Sequence, residues 1–272
     1  MKISNFPAYY TPLDKLGWYG LRALCGAVLL FLLLPIIVII PLSFSDSSFL
    51  SYPIPGWSLR WYQELFASSD WGRATRNSFI VAPLATLIAT ALGTLAAVGL
   101  ARSQFVGKGL LTSLLIAPMV VPIVVVGVST YLFFARIGLS DSYTGLVLVH
   151  AALGAPFVLT TVMATLQGFN QNLVKASLSL GAGPLQTFFR ITLPVIAPGV
   201  ISGALFAFAT SFDEVVVTLF LAGPTQTTLP RQMFTGIREN ISPTIAAVAT
   251  LLILFTACLM MTLEWLRGRV KK

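Results

Sequence analysis

Charge is what this sequence has least of. Asp, Glu, Lys and Arg make up 10% of its 272 residues, while 56% are hydrophobic. A soluble domain usually carries about 25% charged residues. A chain this poor in charge cannot cover a water-facing surface, so a lipid-facing one is expected. Cysteine is nearly absent too: Cys25 and Cys258 stand far apart, each in an apolar run, with no CxxC and a single histidine, His150. That excludes a disulfide framework and leaves no metal-ligand spacing; packing is the expected role of both thiols. A phosphate-binding loop is missing as well. The one Gly-Lys pair, Gly107-Lys108, is followed by Gly109 and lacks the required upstream glycine. This chain is therefore expected to bind no nucleotide and no cofactor of its own. The net charge of +8 is not gathered into one stripe, which argues against a nucleic-acid partner.

The charges that exist divide the chain. No Asp, Glu, Lys or Arg occurs in residues 23–45, 77–101, 109–135, 142–174, 191–212 or 240–263. Each window exceeds the roughly 20 residues a helix needs to cross about 30 Å of hydrocarbon. Helices are required because lipid offers no water to backbone groups. The sequence thus predicts an all-α polytopic bundle forming a single transmembrane domain over 1–272. About six spans are expected, near 22–44, 77–101, 110–135, 145–166, 192–212 and 244–265. The first window is too long for a signal h-region and no A-x-A site follows, so a retained span is expected. A further uncharged stretch, Val215 to Pro230, is too short to span and is interrupted by Gly223 and Pro224; a re-entrant or surface segment fits it. Pro118, Pro122, Pro156, Pro194 and Pro198 punctuate the spans, through bundle packing or gating.

Six spans place both ends on one side. With the termini inside, the inner segments hold Lys2, Lys15, Arg22, Arg102, Lys108, Lys175, Arg190, Arg267, Arg269, Lys271 and Lys272. The outer segments hold Arg60, Arg73, Arg76, Arg136, Arg231 and Arg238, together with seven of the nine acids. The excess of Lys and Arg favours cytoplasmic termini. Trp57, Trp61, Tyr62 and Trp71 in the first outer loop read as interfacial anchors.

One inner segment, 170–194, is more than a connector. Asn170 or Asn172 can start a helix, Gly181 can end it, and Pro184 suits the first turn of another. Leu173, Ala176, Leu178 and Leu180 give the first helix an apolar side. A short helix-turn-helix under the bundle, exposing small residues, is expected to dock on another protein. The pattern Lys175-Ala176-Ser177, then Gly181, then Ile191-Thr192-Leu193-Pro194 resembles the signature of ATP-binding-cassette importer permeases, which reads Glu-Ala-Ala, Gly, Ile-x-Leu-Pro. Here Lys175 stands where that family has Glu, which calls for an acidic or neutral partner group.

The resemblance runs along nearly the whole chain and is greatest to the smaller permease of spermidine/putrescine-type importers. It is carried by Trp57 to Phe66, Asn77-Ser78, Gly93 to Ala97, Ala101-Arg102, Pro118 to Pro122, His150 to Pro156 and Ser211-Phe-Asp-Glu-Val-Val-Val-Thr218. It implies a type I importer permease fold, MetI-like, in the bacterial inner membrane. It also implies a second related permease, two ATPase subunits that hold ATP and magnesium, and a periplasmic binding protein. Lys175, Ala176, Ser177, Gly181, Ala182 and Pro194 would then couple to the ATPase. Asp213 and Glu214, where the fifth span ends, are candidate pathway residues for a small cationic amine, because paired carboxylates attract ammonium most strongly where water is scarce. A solvated helix end, or an ion pair with Arg231 or Arg238, is the plainer reading of the two acids. An opine or an aminophosphonate is the alternative cargo. A gradient-driven transporter would instead show internal repeats and charges within its spans, and a membrane enzyme would show clustered His, Asp or Glu; neither pattern occurs.

Overall fold

The computed structural model describes residues 11–239 and 242–270, without the side chains of 239, 260 and 263–270. Lys2, Lys271 and Lys272, counted above for orientation, lie outside them. Helices are the only regular structure among the described residues, apart from one isolated bridge between Ser45 and Trp57. The chain forms two compact units, Met1–Ser68 with Gly236–Lys272, and Ser69–Thr235.

The first unit holds α1 (Pro12–Leu42), α2 (Arg60–Ala67) and α12 (Pro243–Val270). Helix α1 begins eleven residues earlier than the charge-free window. A capping box starts it: Thr11 Oγ1 accepts from the Asp14 amide, the Asp14 carboxylate accepts from the Thr11 amide, and Pro12 occupies the first turn. No residue of α1 is buried. The loop after it folds back through Asp46 N–H to Gly56 O (3.1 Å) and Ser58 N–H to Phe44 O (2.7 Å). Trp57 is 73% exposed, but Trp61 is only 7% exposed and donates its indole N–H to Ser45 O at 2.8 Å. Trp61 is thus a packing residue of this unit, not the interfacial anchor expected of it. Thr244 Oγ1 donates to Glu64 Oε1, tying α12 to α2.

The second unit is built on α3 (Ser69–Arg102), α6 (Tyr143–Gln167) and α9 (Leu193–Phe212). Small residues let these helices approach. Buried positions on α9 fall at Ile196, Gly199, Gly203, Ala207 and Ser211, the spacing of one helical stripe. A Cβ on Gly203 would lie 2.7 Å from Val158 Cα, and one on Gly154 would lie 3.0 Å from Ala207 Cβ. On α3, Ala85, Ala89, Gly93 and Ala97 form the matching stripe. Close approach through small residues is how membrane helices gain packing energy when lipid is as apolar as the side chains.

Two spans are not plain helices. The window expected to hold one helix over 110–135 is broken. Helix α4 (Lys108–Ile116) runs into a single 3₁₀ turn, Ala117–Met119, and α5 (Ile123–Ile137) leaves at 98°. Pro118 and Pro122 cause this, since neither has an N–H to bond back into the helix. The second helix of the inner segment is also not a separate loop helix. Helix α8 (Pro184–Thr187) passes through a π turn, Phe188–Thr192, directly into α9, giving one helical run Pro184–Phe212. Pro194 cannot donate to the Arg190 carbonyl, and the widened turn absorbs the mismatch through Leu193 N–H to Phe188 O.

Four helices, Pro12–Leu42, Ser69–Arg102, Tyr143–Gln167 and Pro184–Phe212, are long and apolar enough to cross a membrane unbroken. Cys25 and Cys258 are both exposed rather than packed in a core.

Candidate functional site

Helix α6 runs 25 residues, about 37 Å at 1.5 Å per residue. Features of interest gather at both of its ends.

Beyond Gln167 lies the exposed turn. The Asn170 side chain accepts from the Asn172 amide at 3.0 Å and starts α7 (Asn172–Ser179). Gly181 ends it with φ +86°. Ala182 N–H reaches Ser177 O at 3.1 Å and Gly181 N–H reaches Leu178 O at 3.0 Å, which is the full Schellman pattern. Pro184 then opens α8. The two arms are pinned by Ser177 Oγ to Thr187 Oγ1, 3.0 Å apart, with Thr187 buried. Arg102 donates to Thr192 Oγ1 at 2.9 Å and fixes the π turn to α3. Lys175, Ala176 and Gly181 are exposed, Ser177 and Ala182 half-buried, and Pro194 exposed in the first turn of α9. Small residues are exposed there, Ala176, Ser179, Gly181 and Gly183, and large ones join them: Leu180 is 88% and Leu185 74% exposed, flanked by Leu173, Leu178 and Phe189. Helices α7 and α8 pack on each other and on the π turn, so their outward leucines are left uncovered in this chain.

At the Tyr143 end, α9 stops short. His150, two turns into α6, joins Ser211 Oγ (2.8 Å) on α9 and Thr218 Oγ1 (3.2 Å) on α10 (Val216–Leu221). Ser211 therefore sits about 10 Å inside the end of α6. Helix α10 fills the remaining height, because Leu221 O accepts from Asp141 N–H at 3.0 Å just before α6 begins. The break between α9 and α10 is Asp213–Glu214. The two acids part company there. Asp213 is exposed at the α9 C-cap, while Glu214 is half-buried and caps α10 by accepting the Val217 amide at 2.8 Å. Neither forms an ion pair among the described residues, and Arg231 is instead spent on the Ala222 and Gly223 carbonyls.

The segment after α10 is braced from α3 and α6. Asn77 Nδ2 donates to Thr225 O (2.9 Å) and Thr227 O (2.8 Å), Tyr143 OH donates to Asn77 Oδ1 (2.7 Å), and Ser78 Oγ accepts from Leu229 N–H (2.8 Å). Sequence reasoning assigned no role to these residues. Their signal was faint: two polar side chains just inside a charge-free window. The partner carbonyls lie some 150 positions away.

Comparison with known proteins places these features in context. Residues 89–272 match the family model "Binding-protein-dependent transport system inner membrane component". The chain is similar to the putrescine transport system permease protein PotI of Escherichia coli (strain K12), 33% identical over 92% of this chain and 89% of that one. It is similar also to the spermidine/putrescine transport system permease protein PotC of Haemophilus influenzae, 32% identical over 88% and 92%. Its fold resembles that of a chain of a bacterial ABC transporter involved in the import of the acidic polysaccharide alginate. There the TM-score is 0.75 at 14% identity, covering 96% of this chain and 99% of that one. A second structure, of the alginate transporter in complex with an alginate pentasaccharide-bound periplasmic protein, gives 0.68 at 20% identity, with 92% of each chain covered.

Proposed function

Because this chain belongs to the binding-protein-dependent transport system inner membrane components, and is an ABC importer permease of MetI-like fold, we propose that its cargo is a polyamine, putrescine or spermidine, and that the turn at α7–α8 receives the force that moves it. The cargo reading rests on the relatives named for putrescine and spermidine and on the exposed carboxylate at Asp213. The coupling reading rests on one observation. The exposed leucine-bearing turn is continuous through the π turn with α9, and α9 ends at the Asp213–Glu214 break. A push on the turn is transmitted along a single helical run to the acids, because a helix moves as a rigid element.

In this assembly the chain pairs with a second related permease. Two ATPase subunits carry ATP and magnesium on the cytoplasmic side, where Lys175, Ala176, Ser177, Gly181, Ala182 and Pro194 meet them. A loaded periplasmic protein docks on the opposite side. About six spans cross the membrane, the bent α4–α5 pair counting as one, and both termini are cytoplasmic. Lys175 faces an acidic or neutral group of the ATPase cleft.

The test is co-expression with the neighbouring permease and ATPase genes, followed by purification on a tag carried by this chain. The ATPase and a second permease are expected to co-purify, and Gly181→Asp is expected to release the ATPase or uncouple its hydrolysis. Normal amine transport by that variant overturns the coupling assignment.

A further inference from the structure

Helix α1 starts well before the stretch that hydrocarbon can cover. Its charge-free window opens at Ala23, so residues 12–22 precede it, about 16 Å of helix at 1.5 Å per residue. The headgroup layer on each side of a bilayer is roughly 5–8 Å thick. These turns therefore cross that layer, and the last of them lie in it. They are two-sided. At about 100° per residue, Leu13, Leu16 and Leu24 fall on one side, while Lys15, Trp18, Tyr19 and Arg22 fall on the other. Lys15 and Arg22 are seven residues apart, which puts them within about 20° of each other and about 10 Å apart along the axis.

The second side is organised. Arg22 folds back one turn and lays its guanidinium over the Trp18 ring, 3.4 Å from the centroid. The Tyr19 ring stands perpendicular to that of Trp18 at 4.9 Å. Arg22 thus points from the hydrocarbon edge toward water, as a long cationic side chain does at a membrane boundary. A guanidinium stacked on a ring keeps its five N–H donors in its own plane, aimed past the ring's edge. Arg22 makes no hydrogen bond or ion pair among the described residues. Acids are scarce around it. Asp14 is the only one in the first 45 residues, against Lys2, Lys15 and Arg22, and its carboxylate accepts from the Thr11 amide and hydroxyl.

An anion at headgroup depth completes this arrangement, and its source is either the second permease or lipid. A second permease closing over Arg22 would take its charge out of water, at a cost of several kcal/mol, unless it placed an acid there. A phospholipid carries a phosphate at that depth in any case, and its acyl chains continue beside the apolar helix from Ala23 onward. Arg22 covers one face of Trp18, so that face does not receive a headgroup ammonium or choline. The site therefore favours a headgroup of net negative charge over a zwitterionic one.

We propose that Lys15, Trp18, Tyr19 and Arg22 bind the headgroup of an anionic phospholipid. Arg22 holds the phosphate through paired N–H groups. Trp18, buttressed by Tyr19, fixes the plane of the guanidinium, and Lys15 adds its charge on the water side. Bound lipid then sets how deep α1 sits. This goes beyond the polyamine reading and does not depend on it.

Native mass spectrometry of the complete importer, supplied with equal amounts of phosphatidylglycerol and phosphatidylcholine, tests the site. Wild type is expected to retain phosphatidylglycerol in preference. Arg22→Gln is expected to weaken phosphatidylglycerol binding about fivefold, with phosphatidylcholine binding unchanged. Trp18→Leu keeps both cations and is expected to weaken it about threefold, because the fork is no longer held in place. No preference in wild type, or an Arg22→Gln importer that retains phosphatidylglycerol as wild type does, overturns the proposal. Undiminished binding in Trp18→Leu overturns it too, leaving net charge alone as the cause. An Arg22→Gln importer that loses its second permease in either lipid overturns it in favour of a protein contact. No amine enters the assay, so its outcome is separate from that of the polyamine reading.

Discussion

Gly181 allows the sharpest test of how this protein is driven. Its φ of +86° lies in the left-handed region, and a Cβ there would meet nothing within 4 Å. Any effect of a small side chain within this chain is therefore a backbone effect. A non-glycine residue in that region costs about 1–2 kcal/mol, less for Asn. The two Schellman bonds, Ala182 N–H to Ser177 O and Gly181 N–H to Leu178 O, both depend on that φ. A penalty of that size lowers the population of the formed turn relative to unfolded alternatives about 5- to 30-fold. The series Gly181→Ala, Asn and Asp is measured by ATP hydrolysis stimulated by loaded binding protein, with ATPase co-purification alongside. Ala is expected to lower coupling by several-fold, Asn to lie nearer wild type, and Asp to be worst, adding charge among exposed leucines that need an apolar cleft. Full coupling in Gly181→Ala would falsify the claim that this turn must hold its left-handed geometry. Equal loss in Ala and Asn shifts the cause from the backbone to contact with the cleft.

Three other expectations follow from the same geometry. The double Asp213→Asn, Glu214→Gln variant is expected to weaken amine uptake with assembly intact, because Gln can still accept the Val217 amide; unchanged uptake removes the carboxylates from the pathway. Gly203→Ala is expected to lower the thermal midpoint of the purified chain by a few degrees. Overpacking costs about 1–3 kcal/mol, offset by about 1 kcal/mol of helix propensity. Gly99→Ala, with open space around it, serves as the neutral-to-stabilising control, and a midpoint for Gly203→Ala at or above that control refutes the packing account. His150→Phe leaves Ser211 and Thr218 without their shared buried partner and is expected to destabilise by about 1–3 kcal/mol; an unchanged melting profile means the histidine does not hold the α9–α10 elbow.

Much of the inner turn was readable because its rules are local. Asn170, Gly181 and Pro184 each act on backbone groups within four positions. The same locality let Pro118 and Pro122 announce a disturbance in the third window. It did not give the 98° bend, which depends on what α5 packs against, namely α10. Trp61 shows the converse failure. Its type and loop position suggested the headgroup region, yet a carbonyl sixteen residues earlier, at Ser45, draws it inward.

By itself, then, the sequence determined that this is a charge-poor helical membrane chain with a structured turn between residues 170 and 194 and a broken segment after Phe212. Those follow from hydrocarbon excluding charge and from proline and glycine acting on their own turns. Only the tertiary structure decided that the turn and the break belong to one helical run. It also separated Asp213, left open on α9, from Glu214, spent on capping α10, and it made His150, Asn77 and Tyr143 the braces of that end. These are matters of which side chains meet across helices far apart in the chain, and adjacency in sequence carries no information about that.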